Sequence, residues 1–127
     1  MAFELFSKIR EIDTLLVERP EIRRRVIESH PEAAFWRLNG CQAMRLPKKV
    51  KGAVNPAGMA ERRELLAKCG LGPDFLAGPA PKGAGEDDFL DACAMLLVAE
   101  RHAAGAAIPF PDPPLVDGFG IPVAIWT

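Results

Sequence analysis

Four stretches of this 127-residue chain repeat apolar residues at helical spacing, and the pattern breaks between them. In the first, Phe3, Phe6, Ile9, Ile12 and Leu16 recur at intervals of three and four, with Glu4 and Lys8 paired on the outer side. That spacing predicts an amphipathic helix over residues 3–19, ended by Pro20. Pro31 suits the first position of a second helix reaching residue 39, with Glu32 in its first turn, Ala34, Phe35 and Leu38 inward, Trp36 at the margin and Gly40 as the stop. Asn55 and Pro56 open a third, carried by Met59, Leu65, Leu66 and Cys69 and closed by Gly70. The fourth, residues 86–105, joins the densest acidic cluster of the chain to its longest apolar run. Phe89, Leu90, Cys93, Leu96 and Leu97 cover most of its circumference, so its middle is expected to be buried on several sides.

The connecting stretches read differently. Residues 22–30, IRRRVIESH, have a β-branched centre that suits a short strand, with Val26, Glu28 and His30 on one face. Residues 45–58 read as a lysine-bearing loop, and 72–85, GPDFLAGPAPKGAG, as a flexible Gly/Pro loop. Pro109, Pro111, Pro113 and Pro114 favour an extended path without ladder hydrogen bonds. Asp117 and Gly118 suggest a turn, and residues 121–126 a final strand that Pro122 confines to an edge. The expectation is one α/β domain over residues 1–127, helix-rich with about two strands.

Charge changes this picture little. Sixteen Lys and Arg against seventeen Asp and Glu give a net charge of −1, so any attraction for nucleic acid must be local. Cys41, Cys69 and Cys93 are odd in number and form no CxxC pair, which argues against a disulfide framework or zinc site and fits a reducing cytoplasm. The run from 92 to 99 falls far short of the ~20 residues of a membrane span, and the N-terminal stretch lacks the order of a secretory signal. A soluble, cytoplasmic protein is expected.

The candidate chemistry lies in the acids. Helical spacing places Asp88, Asp91, Met95 and Val98 on one stripe, and Asp87 one turn before Asp91. These residues have a plain reading as a cap and first-turn acids at the positive end of a helix. They have a second as carboxylates at the rim of an interior. Glu28 either faces water from an edge strand or points into a cleft; His30 has no partner in sequence that fixes its role. Lys48, Lys49 and Lys51 form a local positive cluster, a solvated loop or a phosphate contact. Arg62 and Arg63 read as surface residues unless that loop folds beside them.

Read in order, these features resemble the family known as domain of unknown function 429, whose members are taken to be nucleases of RNase-H-like fold. Glu28-Ser29-His30-Pro31-Glu32 resembles an acidic strand end entering a helix, followed by Phe35 and Leu38-Asn39-Gly40. Lys48-Lys49 resembles a paired-lysine loop, Gly58 with Glu61-Arg62 the following helix start, Asp87-Asp88 with Asp91-Ala92 a DDxxDA segment, and Asp117 with residues 118–125 a closing strand. The resemblance implies a partial RNase-H-like fold acting on phosphodiesters. Glu28, Asp88 and Asp91 would be catalytic, with Asp87 as a further ligand for Mg2+ or Mn2+, and Lys48, Lys49 and Arg62 would contact phosphate of a nucleic acid. Such folds open with a hairpin carrying an essential aspartate. Here only Asp13 precedes Glu28, in helical surroundings, so the resemblance is to the C-terminal part of such a domain, with an incomplete site. Self-association would then cover an exposed sheet edge. The competing expectation is a non-catalytic interaction or assembly module whose acids are caps.

Overall fold

The computed structural model describes residues 2–127, and the chain divides into two compact units. The first joins Met1–Glu28 to Pro109–Ile125; the second joins Ser29–Ile108 to Trp126–Thr127. Among the described residues there are five α-helices and two two-stranded sheets, a mixed α and β architecture in keeping with the α/β expectation.

In the first unit α1 spans Ala2–Glu18, matching the amphipathic pattern. A 3-10 turn at Pro20–Ile22 follows, and Arg23 turns back on the helix end. Its Nε donates to the Leu16 carbonyl at 2.6 Å and its Nη2 to that of Val17 at 3.3 Å, satisfying acceptors that the last turn leaves open. Its remaining Nη1 reaches the Phe119 carbonyl at 3.1 Å. Residues 22–30 therefore do not form the expected strand. Turns occupy the chain to Arg25, and the extended run after them makes a single bridge, at Ser29, which falls in the second unit. A β-branched pair at Val26-Ile27 cannot hold a strand without a neighbour to take its hydrogen bonds.

β3 (Pro109–Val116) and β4 (Pro122–Trp126) pair as a hairpin. The prolines, expected to keep this segment out of any ladder, are tolerated because each strand of a two-stranded sheet has a free edge. Asp117 closes the hairpin: its Oδ1 accepts the N–H groups of Phe119 and Ile121 at 2.8 and 2.9 Å.

The second unit is built on α5 (Glu86–Ala103), against which α2 (Pro31–Leu38) and α3 (Pro56–Lys68) both pack. Ala34 and Phe35 of α2, Met59 and Leu66 of α3, and Leu90, Cys93, Ala94, Leu97 and Val98 of α5 form its core. Each large side chain buried there stabilises the unit by roughly 1.5–3 kcal/mol relative to exposure. Leu96 is exposed, so α5 is covered on fewer sides than its sequence suggests. The stretch expected as a flexible loop contains α4 (Pro73–Ala77), with Pro73 in its first turn and Leu76 buried. Arg63 Nε donates to the Leu76 carbonyl at 2.8 Å, and the Phe75 and Phe89 rings meet edge to face at 5.4 Å. A tight hairpin also forms in the lysine loop: β1 (Lys49–Val50) pairs antiparallel with β2 (Ala53–Val54). Its turn is made by Lys51 and Gly52, both at positive φ, 49° and 80°, the geometry of the two-residue turn that matches strand twist. At the base of the unit, Ile108 and Thr127 exchange backbone hydrogen bonds at 2.8 and 2.9 Å, and Ser29 Oγ donates to the Trp126 carbonyl at 2.7 Å.

Candidate functional site

Lys48 and Lys49 meet the acidic end of α5 because the loop ahead of them is fastened to α3. The Glu61 carboxylate accepts the N–H groups of Arg45 and Leu46 at 3.0 and 2.9 Å. Burial alone would push the Glu61 carboxyl up, but those backbone donors of Leu46 and Arg45 outweigh it and hold it below the ordinary range. Arg62 Nη1 donates to the Leu46 carbonyl at 3.0 Å, and Asn55 Nδ2 to that of Pro47 at 2.8 Å. Gly58 is what lets the two backbones approach: a Cβ there would stand 2.1 Å from the Pro47 oxygen.

Arg62 is itself a buried cation, 2% exposed. Its Nη2 donates to both Glu32 oxygens at 3.1 and 3.2 Å, and its guanidinium lies 5.3 Å from the Phe35 ring centre. A buried guanidinium without a carboxylate would be costly, so Glu32 on α2 is the partner that makes the arrangement stable. The condition on which Arg62 would leave the surface, a lysine loop folded beside it, is met. Its two terminal nitrogens are spent on protein groups, its Nε is buried without a partner, and no exposed fork remains for a phosphate.

The loop then delivers its two ammonium groups. Lys48 Nζ lies 2.8 Å from Asp91 Oδ2 and 4.0 Å from Asp87 Oδ2, bridging two carboxylates one helical turn apart. Lys49 Nζ lies 2.8 Å from the same Asp87 oxygen. Asp87 is 4% exposed. The hydrogen bond from Lys49 holds its carboxyl below the ordinary value against the opposing effect of burial, and the same bond raises Lys49. Asp91 Oδ1 is buried with no hydrogen-bond partner, an acceptor whose lone pairs are unused.

Of the residues singled out in sequence, Asp87, Asp91, Lys48 and Lys49 are thus brought together, and Arg62 lies behind the loop as its fastening. Asp88 makes no ion pair with the lysines: it is exposed, and its Oδ2 accepts the Gly85 N–H at 3.0 Å, the capping role its position allowed. Glu28 and His30 are exposed, and Glu28 belongs to the other unit. Among the described residues no group of three or more His, Cys, Asp or Glu side chains is placed to hold a metal ion. Spacing had favoured Asp88 with Asp91; the i,i+4 alternative of Asp87 with Asp91 is the pair that faces the lysines. Glu32, Asn55, Gly58 and Glu61 are the residues whose part in the site single-residue reading missed, although Glu32, Gly58 and Glu61 stand in the motif run 28–62.

The model of the family described as protein of unknown function (DUF429) matches residues 1–115. The chain belongs to this family. The match takes in every residue of the cluster, from Glu32 to Asp91, together with α1. No curated protein and no solved structure matches this DUF429 chain. No helix among its described residues is long and apolar enough to cross a membrane.

Proposed function

We propose that this DUF429 chain carries a phosphodiester-directed site of RNase H ancestry, formed by Asp87 and Asp91 on α5 and by Lys48 and Lys49 on the loop fastened to α3. The observation that carries the reading is the bridging of two aspartates by Lys48, from a loop some forty residues earlier in the chain. Motif fragments that are weak singly become one charge cluster. Two carboxylates balanced by two ammonium groups form a neutral set that an incoming phosphate can re-sort: the lysines turn to the phosphate, and the aspartates gain the freedom to accept another cation.

Asp87 and Asp91 fit Mg2+ or Mn2+ in the manner of sites that use one or two protein carboxylates and complete the shell with water and substrate phosphate. The unpartnered Oδ1 of Asp91 is the donor that favours this. Such an ion, when bound, would supply charge for the phosphate and a more acidic water. The protein's own part is to orient the phosphate with Lys48 and Lys49, to keep Asp87 ionised through Lys49, and to hold the loop rigid through Glu61, Arg62 and Gly58. In this reading Asp88 serves as the helix cap, and Glu28 has no assigned step.

The test is cleavage of labelled single-stranded and duplex oligonucleotides by the full chain. Cleavage should require Mg2+ or Mn2+ and should fall about 100-fold or more in Asp87→Asn and Asp91→Asn, the scale of removing one strong electrostatic stabiliser. Activity that persists in EDTA would overturn the reading. A second reading, an assembly module without catalysis, is favoured by the pairing of Asp87 and Asp91 with the two lysines and by the lack, among the described residues, of three or more His, Cys, Asp or Glu side chains placed to hold a metal ion. It predicts no cleavage and no metal dependence.

A further inference from the structure

We propose that α1 is a self-association helix that pairs in parallel with α1 of a second copy of this chain. The helix leaves six large apolar side chains uncovered. Phe3 is 85% exposed, Phe6 53% and Ile9 57%, and Leu5, Ile12 and Leu15 are exposed as well. With 150–250 Å² in each aromatic side chain, the two phenylalanines alone leave roughly 200–350 Å² open. The exposed aliphatic residues Leu5, Ile9 and Ile12 lie on the side that a pairing helix would cover, with Phe6 at its margin and Phe3 outside it.

Two features choose the occupant. The first is spacing: Leu5, Ile9, Ile12 and Leu16 are separated by four, three and four residues, the seam of a two-stranded coil. Glu4, Glu11 and Glu18 fall seven apart on the far side. The second is charge complementarity. Lys8 and Asp13 lie on opposite flanks of the seam, five residues apart, which is the spacing that sets a flank residue against the partner helix's flank in a parallel pair. Two-fold symmetry makes the contact twice, Lys8 to the partner's Asp13 in each direction. An antiparallel pair brings like flanks together and leaves both charges without a partner. A lipid surface fits less well, since α1 carries Glu4, Glu11, Asp13 and Glu18 against Lys8 and Arg10, whereas helices that lie on anionic membranes are basic.

The measurement is sedimentation equilibrium of the full chain, with circular dichroism to confirm that each variant keeps its helix content. Wild type should dimerise in the micromolar range, as suits an interface of little more than two heptads. Ile9→Glu should be monomeric. Lys8→Asp and Asp13→Lys should each weaken the dimer on the order of tenfold by setting like charges opposite one another, and the double exchange Lys8→Asp with Asp13→Lys should restore it. A wild-type monomer at several hundred micromolar would overturn the proposal, and so would a dimer that Ile9→Glu leaves intact or that the double exchange fails to restore. The nuclease reading stands or falls separately, since none of these residues belongs to the charge cluster.

Discussion

Replacing Gly58 by alanine adds one methyl group at the closest approach in the second unit. The new Cβ would lie 2.1 Å from the Pro47 oxygen, 3.0 Å from its carbonyl carbon and 3.2 Å from Asn55 Nδ2. The first two are backbone atoms, so the loop itself has to move. Forcing a methyl into a packed contact costs about 1–3 kcal/mol. Displacing the loop also stretches the bonds from Arg62 to Leu46 and from Asn55 to Pro47, at about 1 kcal/mol each. Alanine's better helix propensity returns at most about 1 kcal/mol. The net expectation is a loss of about 2–4 kcal/mol, read in urea denaturation as a midpoint lowered by about 1–2 M with an unchanged slope. The same variant should weaken the Lys48 and Lys49 pairs, because Pro47 is their neighbour in the chain; amide NMR shifts at Asp87 and Asp91 would report it. A loss below about 0.5 kcal/mol, the range of an ordinary surface change, would refute the claim that the loop is fastened against α3.

Arg62→Lys should cost about 2–4 kcal/mol in the same assay, since one ammonium cannot serve the Glu32 carboxylate and the Leu46 and Gly58 carbonyls together; a neutral effect would contradict the buried-cation account. The lowered carboxyl of Asp87 contributes stability that is present above its unfolded value near 3.9 and is lost as pH falls through its lower folded value. Urea midpoints should therefore drop below about pH 4 in wild type and drop less steeply in Asp87→Asn. Cys41 is exposed, whereas burial pushes the Cys69 and Cys93 thiols up, so a thiol reagent at neutral pH should label Cys41 first and Cys93 only after unfolding.

The helices were legible because their cues are local. Proline at the first position of α2 and α3, glycine after their ends and the apolar periods of α1 and α5 placed each within a residue or two. Elements too short to show a period were not. The strands β1 and β2 have two residues each, and their turn depends on Lys51 entering a left-handed conformation that lysine rarely signals. Helix α4 spans five residues inside a Gly/Pro-rich run, and what holds it is tertiary: the buried Leu76, the bond from Arg63 to its carbonyl and the Phe75–Phe89 contact. In the stretch 22–30 the sequence carried strand propensity while the fold gave it only the one bridge from Ser29 to Trp126 at the end of β4, so tertiary context decided.

The site was legible as a set of residues and not as a geometry. Periodicity allowed Asp91 to pair with either Asp87 or Asp88, and what separates the two is the direction from which the lysine loop arrives, a fact of tertiary structure. Arg62 shows the same limit. Its charge suggested a phosphate contact, while its burial follows from Glu32 standing on a different helix thirty residues earlier.

The most direct test of the central claim is a calorimetric titration of the full chain with Mn2+ or Mg2+ in the presence of a short oligonucleotide that cannot be cleaved. If the lysine loop and α5 form one site, binding saturates in wild type, disappears in Asp87→Asn and Asp91→Asn, and survives in Asp88→Asn. Saturation that Asp91→Asn leaves untouched, or that only Asp88→Asn removes, would contradict it.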